Sequence, residues 1–479
     1  MRQVEMQRVR VKIQDNAIHE ALASISNAIA SEGGKALLVG GCVRDTLLGA
    51  LPQDFDVEVY GIPFPKLMDI LSQCSSVSLA GESFGVIKVQ GLPIDISIPH
   101  HTSTTGRKGC QTGMRPDAEI TPQEAASRRD FTMNAMALDP LTGEILDYFG
   151  GRQDLEHHIL RHTSEKFSED PLRVLRGHQL AGRYGLTPAP DTISLAQDLL
   201  PEYGTLAIER IWAEWYKWAA FSKYPSFGLN WLRQTHWLQA YPELVALQGC
   251  PQDRRWHPEG DVWTHTLLVT DEAARIAQRD HLSLEDRAIL LLSALCHDLG
   301  KPATTEVTPH GIHSRGHAQA QEIYQQCLQR LGAPRKYGDR VMALCLNHLS
   351  HLGFSGSFRH VRRLALSLSS AGESIEMLSR LVEADVSGRP PLPKQMPATM
   401  SHILRMAKKL DLTRRAPQPL LFGRHLLDLG IQPGPEMGHI LKAVFEAQLE
   451  GKFDTIEAAK DWALAYVGSR NSGQAQPHR

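Results

Sequence analysis

The sequence predicts an α+β chain: a mixed sheet with helices at the front, followed by a long, nearly all-helical remainder. Three observations predict it. First, Asp54–Val59 reads DFDVEV, so Asp54, Asp56 and Glu58 alternate with Phe55, Val57 and Val59. Successive strand side chains point to opposite faces, which puts the acids on one face and the apolar residues on the other. Second, further strand patterns follow at Gly85–Val89 and Pro93–Ile98. Third, from Arg128 onward the apolar spacing is mainly helical, apart from a strand-turn piece around Glu144–Gly151. At 479 residues the chain is too long for one core. The changes of character divide it into a head (1–151), a helical neck (152–249), a third domain (250–392), a helical C-terminal region (393–468) and a disordered tail (469–479).

Each element has its own signal. Residues 1–35 hold a mixed strand and an amphipathic helix with Ile18, Leu22, Ile25 and Ile29 on one face. Ala36–Val39 reads as a strand. Gly40–Gly41 then lets the backbone approach a ligand closely, and Cys42–Leu48 begins a helix whose free N–H groups suit phosphate, with Arg44 adding a permanent charge. A further helix fits Phe64–Cys74. In Pro93–Ile98 the three isoleucines face one way, and Asp95 with Ser97 the other. His100–Ile120 is rich in Thr, Gly, Arg and Lys without periodicity and reads as a mobile loop. Cys250–Asp253 punctuates the helical half, and Pro390–Pro393 is a linker, since closely spaced prolines cannot sustain a helix.

Composition excludes some functions. No apolar run approaches the roughly 18 residues of a membrane span, and MRQVEMQRVRVKIQDN lacks the apolar core of a signal peptide. Seven cysteines, an odd number without CxxC spacing, argue against a zinc ribbon and predict reduced thiols and a cytoplasmic location. A net charge of −2 does not fit a nucleic-acid coat protein, although a local basic patch can still serve an RNA substrate.

An acidic row on a strand repels itself unless cations neutralise it. Hard oxygen ligands at the spacing of Asp54 and Asp56 suit Mg²⁺, which keeps substrate phosphates in its other positions. Asp95 is a candidate third carboxylate. A DxD pair alone reads equally well as a solvated strand edge, but GGCVRDTLLG followed by DFDVEVYG is far more specific. Together these stretches resemble the class II nucleotidyltransferases, the family of tRNA CCA-adding enzymes and bacterial poly(A) polymerases. The resemblance implies a polymerase-beta-like head in which Asp54 and Asp56 hold catalytic Mg²⁺, with Asp95 the candidate third catalytic carboxylate. It extends to RRDFTMNAMALD, Arg128–Asp139, similar to the family's RRDxxxNA helix, which holds ribose and triphosphate, and to DYFGG, Asp147–Gly151, similar to its head–neck hinge. Nucleotide contacts are implied at Gly40, Gly41, Arg44, Asp45, Arg129, Asp130, Asn134, Glu169, Asp170, Arg173 and Arg176.

FSEDPLRVLR, Phe167–Arg176, resembles the family's EDxxR motif. Asp170 and Arg173, three apart on a helix, can face one ligand. Cytosine and adenine each offer an amino group beside an unprotonated ring nitrogen, which an Asp and an Arg can read. Uracil and guanine reverse that pattern, and each buried unpaired polar group costs about 1–3 kcal/mol. CTP and ATP are thus selected without a nucleic-acid template. Glu169 is expected to orient Arg173. Two departures stand out. GHQLAGRYGL replaces the usual AARFAAR-like run, and Gly177 and Gly182 cost about 1 kcal/mol each relative to Ala in a helix, predicting a neck that is looser or differently packed. PHHTSTTGRKG lacks the family's Arg-x-Glu in the loop thought to govern the switch from C to A addition, which leaves CC-only or A-only addition open.

His265, His297–Asp298 (in ALCHDLGKP) and Asp385 (in EADVSGR) follow the order of the HD phosphohydrolase superfamily. Imidazole plus carboxylate suits a transition metal or Mg²⁺, which would turn a bound water into a nucleophile. Lys301, His317 and His348 are further candidates for phosphate or ligand contact. In the CCA-adding family such a domain implies phosphatase or cyclic-phosphodiesterase activity towards RNA 3′ ends. LLFGRHLLDLGIQPGPEMGHILKAVFEAQLEGKFD resembles the C-terminal segment of HD-bearing members, a structural region expected to contact tRNA. Arg335, Lys336, Arg340, Arg359, Arg362 and Arg363 form either a phosphate-contacting patch or a solvated helix face. The expected function is addition of CCA, or part of it, to tRNA from CTP and ATP. The alternatives are a poly(A) polymerase of the same family, or an RNA-binding HD phosphohydrolase with an inactive head.

Overall fold

The computed structural model describes residues 15–80, 85–102 and 114–473, together with positions 9, 11 and 13. The chain forms two compact units, Met1–Trp218 with Phe227–Ala240, and Ala219–Ser226 with Tyr241–Arg479.

The first unit opens with α1 (Asn16–Ser31), capped by the Asp15 carboxylate and buried along Ile18, Leu22, Ile25 and Ile29. Then come β1 (Lys35–Val39), α2 (Gly41–Leu47), β2 (Phe55–Tyr60), α3 (Phe64–Cys74), β3 (Val77–Ala80), β4 (Val86–Val89) and β5 (Ile94–Ser97). The acid-bearing strand lies in mid-sheet: the order is β3-β4-β5-β2-β1, continuing into two-residue strands at Ala137–Leu138 and Ile145–Leu146. β2 runs antiparallel to β1 but parallel to β5, and that register sets Asp56 directly beside Asp95. Phe55, Val57 and Val59 are buried under the sheet, so the apolar half of the alternation fixes which face the acids occupy.

Several expectations need correcting. The strand Val77–Ala80 is an addition to those expected. The ends of the expected loop, His100–Thr102 and Met114–Pro116, pair as antiparallel strands, and residues 103–113 lie outside the described residues. The expected helix over Arg128–Asp139 is instead an extended Phe131 followed by a 3-10 turn, Thr132–Asn134. Asp130 causes this: its Oδ1 accepts from the backbone N–H of Phe131 at 2.8 Å and from Asn134 Nδ2 at 3.0 Å, a local bond that competes with the helix. The helical half also holds a hairpin, Thr305–Thr308 with Gly311–Ser314.

The neck helix Leu172–Tyr184 is tightly packed. A Cβ on Gly177 would lie 3.0 Å from Phe131 Cζ and from Trp231 Cε2 and Nε1, and the Trp231 indole donates to the Val174 carbonyl at 2.8 Å. His178 is wholly buried against Trp215 and Trp218, with ring centroids 4.5 and 5.2 Å away.

The second unit is a helical body. Helices Val262–Arg279, Leu284–Cys296, Arg335–Asn347 and Ile375–Ser387 pack around Leu290, Leu291, Leu295, Leu344, Leu378 and Leu381. No helix among the described residues is long and apolar enough to cross a membrane. The six described cysteines are unpaired.

Candidate active sites

In the first unit a recess of 360 Å³ collects residues chiefly from three separate stretches. Gly40, Gly41 and Arg44 come from the start of α2, Arg129, Asp130 and Asn134 from the 3-10 turn and the residues leading into it, and Asp170, Arg173 and Arg176 from the neck; Asp56 of β2 and Arg210 of the helix Ile208–Phe221 also line it. Gly40 has φ +72, and a Cβ there would meet Arg129 Nη1 at 3.0 Å, so glycine serves both the turn and the close approach. A chain of bonds links the stretches. Arg44 Nη1 donates to Asn134 Oδ1 at 2.7 Å, Asn134 Nδ2 to Asp130 Oδ1 at 3.0 Å, and Arg176 Nε to Asp130 Oδ2 at 2.7 Å. Burial pushes the Asp130 carboxyl up, but Arg176 and Asn134 outweigh it and hold the pKa below its ordinary value.

Asp54, Asp56 and Asp95 line a neighbouring recess of 380 Å³. Asp95 is paired with Lys88 Nζ at 2.9 Å. Desolvation is the largest cause of a raised Asp56 pKa, Asp95, Asp54 and Glu58 add like charge, and Arg129 opposes them. Such a row of oxygen donors is the right chemistry for a hard divalent cation. Glu58, the third acid on the strand, is engaged elsewhere. Arg129 Nη2 donates to its Oε1 at 2.6 Å, and the Tyr60 hydroxyl donates to its Oε2 at 2.6 Å.

Not every expected role is matched. Asp170 does not share a helix with Arg173; it precedes the helix in extended conformation, because Pro171 caps the first turn. Its Oδ2 accepts from Arg210 at 2.9 Å. Arg173 is oriented by the carbonyls of Lys166 (2.6 Å) and Arg128 (2.7 Å), not by the exposed Glu169. Asp45 is not among the lining residues; it accepts from Arg44 Nε and from the Tyr184 hydroxyl, each at 2.9 Å. Sequence reasoning missed Arg210 and Tyr184, and no motif marks them. Among the basic helical residues, Arg335, Lys336, Arg340, Arg359 and Arg363 are all committed to intramolecular carboxylates.

In the second unit His265, His297 and Asp385 converge, as do Asp298, His317 and His348; each trio holds its ligand atoms within 4.8 Å of one another. His265 is supplied by helix Val262–Arg279 and His297 by the C-cap of the next helix, while Asp385 lies in the last turn of helix Ile375–Ser387. The imidazoles share one orientation. Nδ1 of His297, His317 and His348 lies 2.8, 2.6 and 2.6 Å from the carbonyls of Ala294, Ser314 and Cys345. Nδ1 of His265 lies 2.8 Å from Glu259 Oε1. A carbonyl or carboxylate only accepts, so each Nδ1 faces a group that can take its proton, and the Nε2 atoms turn inward. There they meet acceptors: His265 Nε2 is 3.4 Å from His297 Nε2 and 3.2 Å from Asp385 Oδ1, and Asp298 Oδ1 is 3.2 Å from His317 Nε2. With Nε2 unprotonated, these nitrogens and the carboxylate oxygens form a donor set suited to divalent cations; with Nε2 protonated, each bonds to its carboxylate instead. Lys301 Nζ sits 2.7 Å from Asp298 Oδ2, and Arg389 pairs with Asp385. Burial raises the Asp298 and Asp385 carboxyls, yet His297 with Lys301, and Arg389 with His265, bring both well below the usual range.

A family model described as the poly A polymerase head domain matches residues 36–161, and one described as the HD domain matches 262–381. A multifunctional CCA protein of Xylella fastidiosa (strain 9a5c) is 35% identical over 365 residues, spanning 74% of this chain and 84% of that protein. One of Pasteurella multocida (strain Pm70) is 37% identical over 330 residues, 66% of this chain and 74% of its own. Among solved structures, the Bacillus stearothermophilus CCA-adding enzyme in complex with CTP matches with TM-score 0.63 at 21% identity, covering 96% of this chain and 100% of that one. The Thermotoga maritima CCA-adding enzyme complexed with tRNA matches with TM-score 0.58 at 18% identity, over the same shares. At these identities the two structures speak for the fold.

Proposed function

Because the chain belongs to the family of multifunctional CCA proteins, we infer that it is a nucleotidyltransferase that adds CCA to tRNA 3′ ends from CTP and ATP. One observation carries the reading: the 360 Å³ recess brings the glycine turn, Arg44, Asp56, the Asp130–Asn134 turn and the Asp170–Arg173 pair to one place. Nucleotidyltransferase heads and HD domains generally use divalent metals, and in this reading Asp54 and Asp56, with Asp95 alongside, hold Mg²⁺. When bound, the ions supply the charge that activates the attacking hydroxyl and steadies the leaving pyrophosphate. The chain's residues do the rest. The Gly40–Gly41 backbone and Arg44 hold the triphosphate, Arg129 neutralises charge beside Asp56, and Asp130 with Asn134 seats the ribose. Asp170 and Arg173 accept cytosine or adenine at their amino and ring-nitrogen edges. The tRNA 3′-oxygen forms its bond to the α-phosphorus as the bond to pyrophosphate breaks. Rate enhancement is positioning plus charge stabilisation.

The histidine centre supports a second activity, hydrolysis of phosphoesters at RNA 3′ ends. His265, His297 and Asp385 would hold one divalent ion, and Asp298, His317 and His348 a second. Head, neck, HD domain and C-terminal region divide at 151, 249 and 392, and the free thiols of the six described cysteines support a cytoplasmic home.

The test is incubation of purified protein with tRNA lacking its 3′ end, plus CTP and ATP singly and together. Two nucleotides are expected from CTP alone and three from both. Asp54→Ala with Asp56→Ala abolishes incorporation without unfolding the protein. A long ladder from ATP alone would identify a poly(A) polymerase instead.

A further inference from the structure

The second unit carries a 710 Å³ cavity that the histidine centre does not itself occupy. One wall is the loop that includes Gln252, Arg254 and Arg255, and the other is the hairpin tip Pro309–Ile312. The loop is pinned to the centre at both ends. Buried Gln252 accepts through Oε1 from Lys301 Nζ at 2.7 Å, and that ammonium lies 2.7 Å from Asp298. Glu259 stands 2.8 Å from His265 Nδ1, and Asp261 caps the helix of His265 by accepting from Thr264 N at 2.9 Å. Between the pins, three large residues face outward. Arg255 is committed to Asp253 at 2.5 Å, and Arg254, which lines the cavity, makes no ion pair among the described residues. Trp256 follows them on the same loop, outside the lining, and is 66% exposed. A Cβ on Gly311, at φ +128, would lie 3.1 Å from Asp253 Oδ2, so hairpin and loop meet at the cavity floor.

An open indole face and an unpaired guanidinium on a fixed loop match what single-stranded RNA offers, a base to stack and a backbone phosphate to neutralise. We propose that this groove and the loop beside it hold the last nucleotides of an RNA 3′ end whose terminal phosphoester the histidine centre hydrolyses, with a phosphate against Arg254 in the groove and a base on Trp256 next to it. This rests on the hydrolase reading given above.

The experiment uses the full-length protein with Mg²⁺, Mn²⁺, Co²⁺ or Ni²⁺ and two substrates. One is a short RNA ending in a 2′,3′-cyclic phosphate; the other is bis(p-nitrophenyl) phosphate, which has no chain to fill the groove. Arg254→Ala and Trp256→Ala each raise the RNA KM about fivefold to a hundredfold. They leave its kcat and all p-nitrophenyl parameters unchanged, and Trp256→Phe restores most of the loss. Unchanged RNA KM in both alanine variants overturns the groove and leaves the hydrolase reading standing. A wild-type protein that cleaves the p-nitrophenyl ester and not the RNA, or neither, overturns the RNA reading and the groove with it. A readout independent of turnover is photo-crosslinking of the same RNA carrying 4-thiouridine near its 3′ end. Labelling of the loop or the hairpin is expected, and labelling confined to residues 1–240 overturns the proposal.

Discussion

Gly151→Ala tests how the 3-10 turn is held in place. Gly151 opens the helix Gly151–Glu156, and a Cβ there would lie 2.1 Å from the Thr132 carbonyl oxygen, 2.7 Å from its carbon and 3.0 Å from Met136 Cγ. Real Cβ atoms essentially never come closer than 3.0 Å, so helix and turn must separate by about 0.9 Å. No flexible side chain absorbs this at the nearest contact, because the obstacle is backbone. The same helix also grips the turn through Asp154 Oδ2, which accepts from Thr132 Oγ1 at 2.8 Å. The shift therefore passes to Asn134, two residues along, and to Arg44 bonded to it. Misplacing a positioning group by about 1 Å costs roughly 10²-fold in rate, and overpacking costs about 1–3 kcal/mol of stability. Single-turnover CTP incorporation into truncated tRNA, run beside urea unfolding, reads both. Gly150→Ala is the control. Its φ of +73 makes alanine cost about 1–2 kcal/mol, but nothing lies within 4 Å of the added Cβ, so incorporation stays near wild type. A wild-type rate in Gly151→Ala would refute the claim that this contact positions the turn.

Three other outcomes are expected. Glu58→Gln weakens the charge-assisted bond that aims Arg129 beside Asp56, worth about 1.5–3 kcal/mol, and slows incorporation roughly tenfold to a hundredfold; an unchanged kcat counts against the role. Arg173→Ala lets UTP and GTP compete about tenfold or more better against CTP and ATP, and continued exclusion of both would sink the protein-template reading. His178→Phe flattens the acid limb of stability. Desolvation lowers the buried ring's pKa from 6.5 to about 3, so folded and unfolded chains are both neutral above pH 6.5 and stability is full there. As pH falls from 6.5 towards 3, only the unfolded chain takes the proton, and stability drains at about 1.4 kcal/mol per pH unit. Urea midpoints between pH 7 and 4 measure that slope, and an identical slope in the variant removes His178 as its source.

The acid-bearing strand was legible because one of its faces is buried: period-2 alternation is loudest where Phe55, Val57 and Val59 must point inward. The Asp130–Asn134 pairing was legible too, but not the conformation that makes it. An i, i+4 spacing fits a helix and a tight turn alike, and only the Asp130 bond to the Phe131 amide decides between them. The hairpin Thr305–Ser314 stayed hidden because its strands of four residues bury no continuous face. Of the histidine centre, the adjacent His297–Asp298 pair was readable in one dimension. His317 and His348, among 22 histidines, were readable only as candidates for phosphate or ligand contact; their convergence with Asp298 as a set of ligand atoms is a product of packing. Glu259 and Arg210 act only on a neighbour's atoms, which no linear pattern records.

The neck shows why an unfavourable residue in one dimension need not be one in three. Gly177 in a helix interior costs about 1 kcal/mol against alanine. Here that loss is coupled to a gain elsewhere, since the missing methyl lets the ring of Phe131 and the indole of Trp231 close to the helix backbone. Gly228 makes the matching approach from the other side, where a Cβ would sit 2.5 Å from the His178 carbonyl. Small residues on the approaching backbones and large aromatics between them fill the same volume as a more uniform set of side chains. The result bears on chemistry because this helix carries Arg173 and Arg176. Phe131, which packs on Gly177, is also the residue whose extended backbone sets the direction of Asp130. The glycine that looks like a weak point thus helps to hold the Asp130–Arg176 pair at 2.7 Å, where the 3-10 turn meets the neck helix.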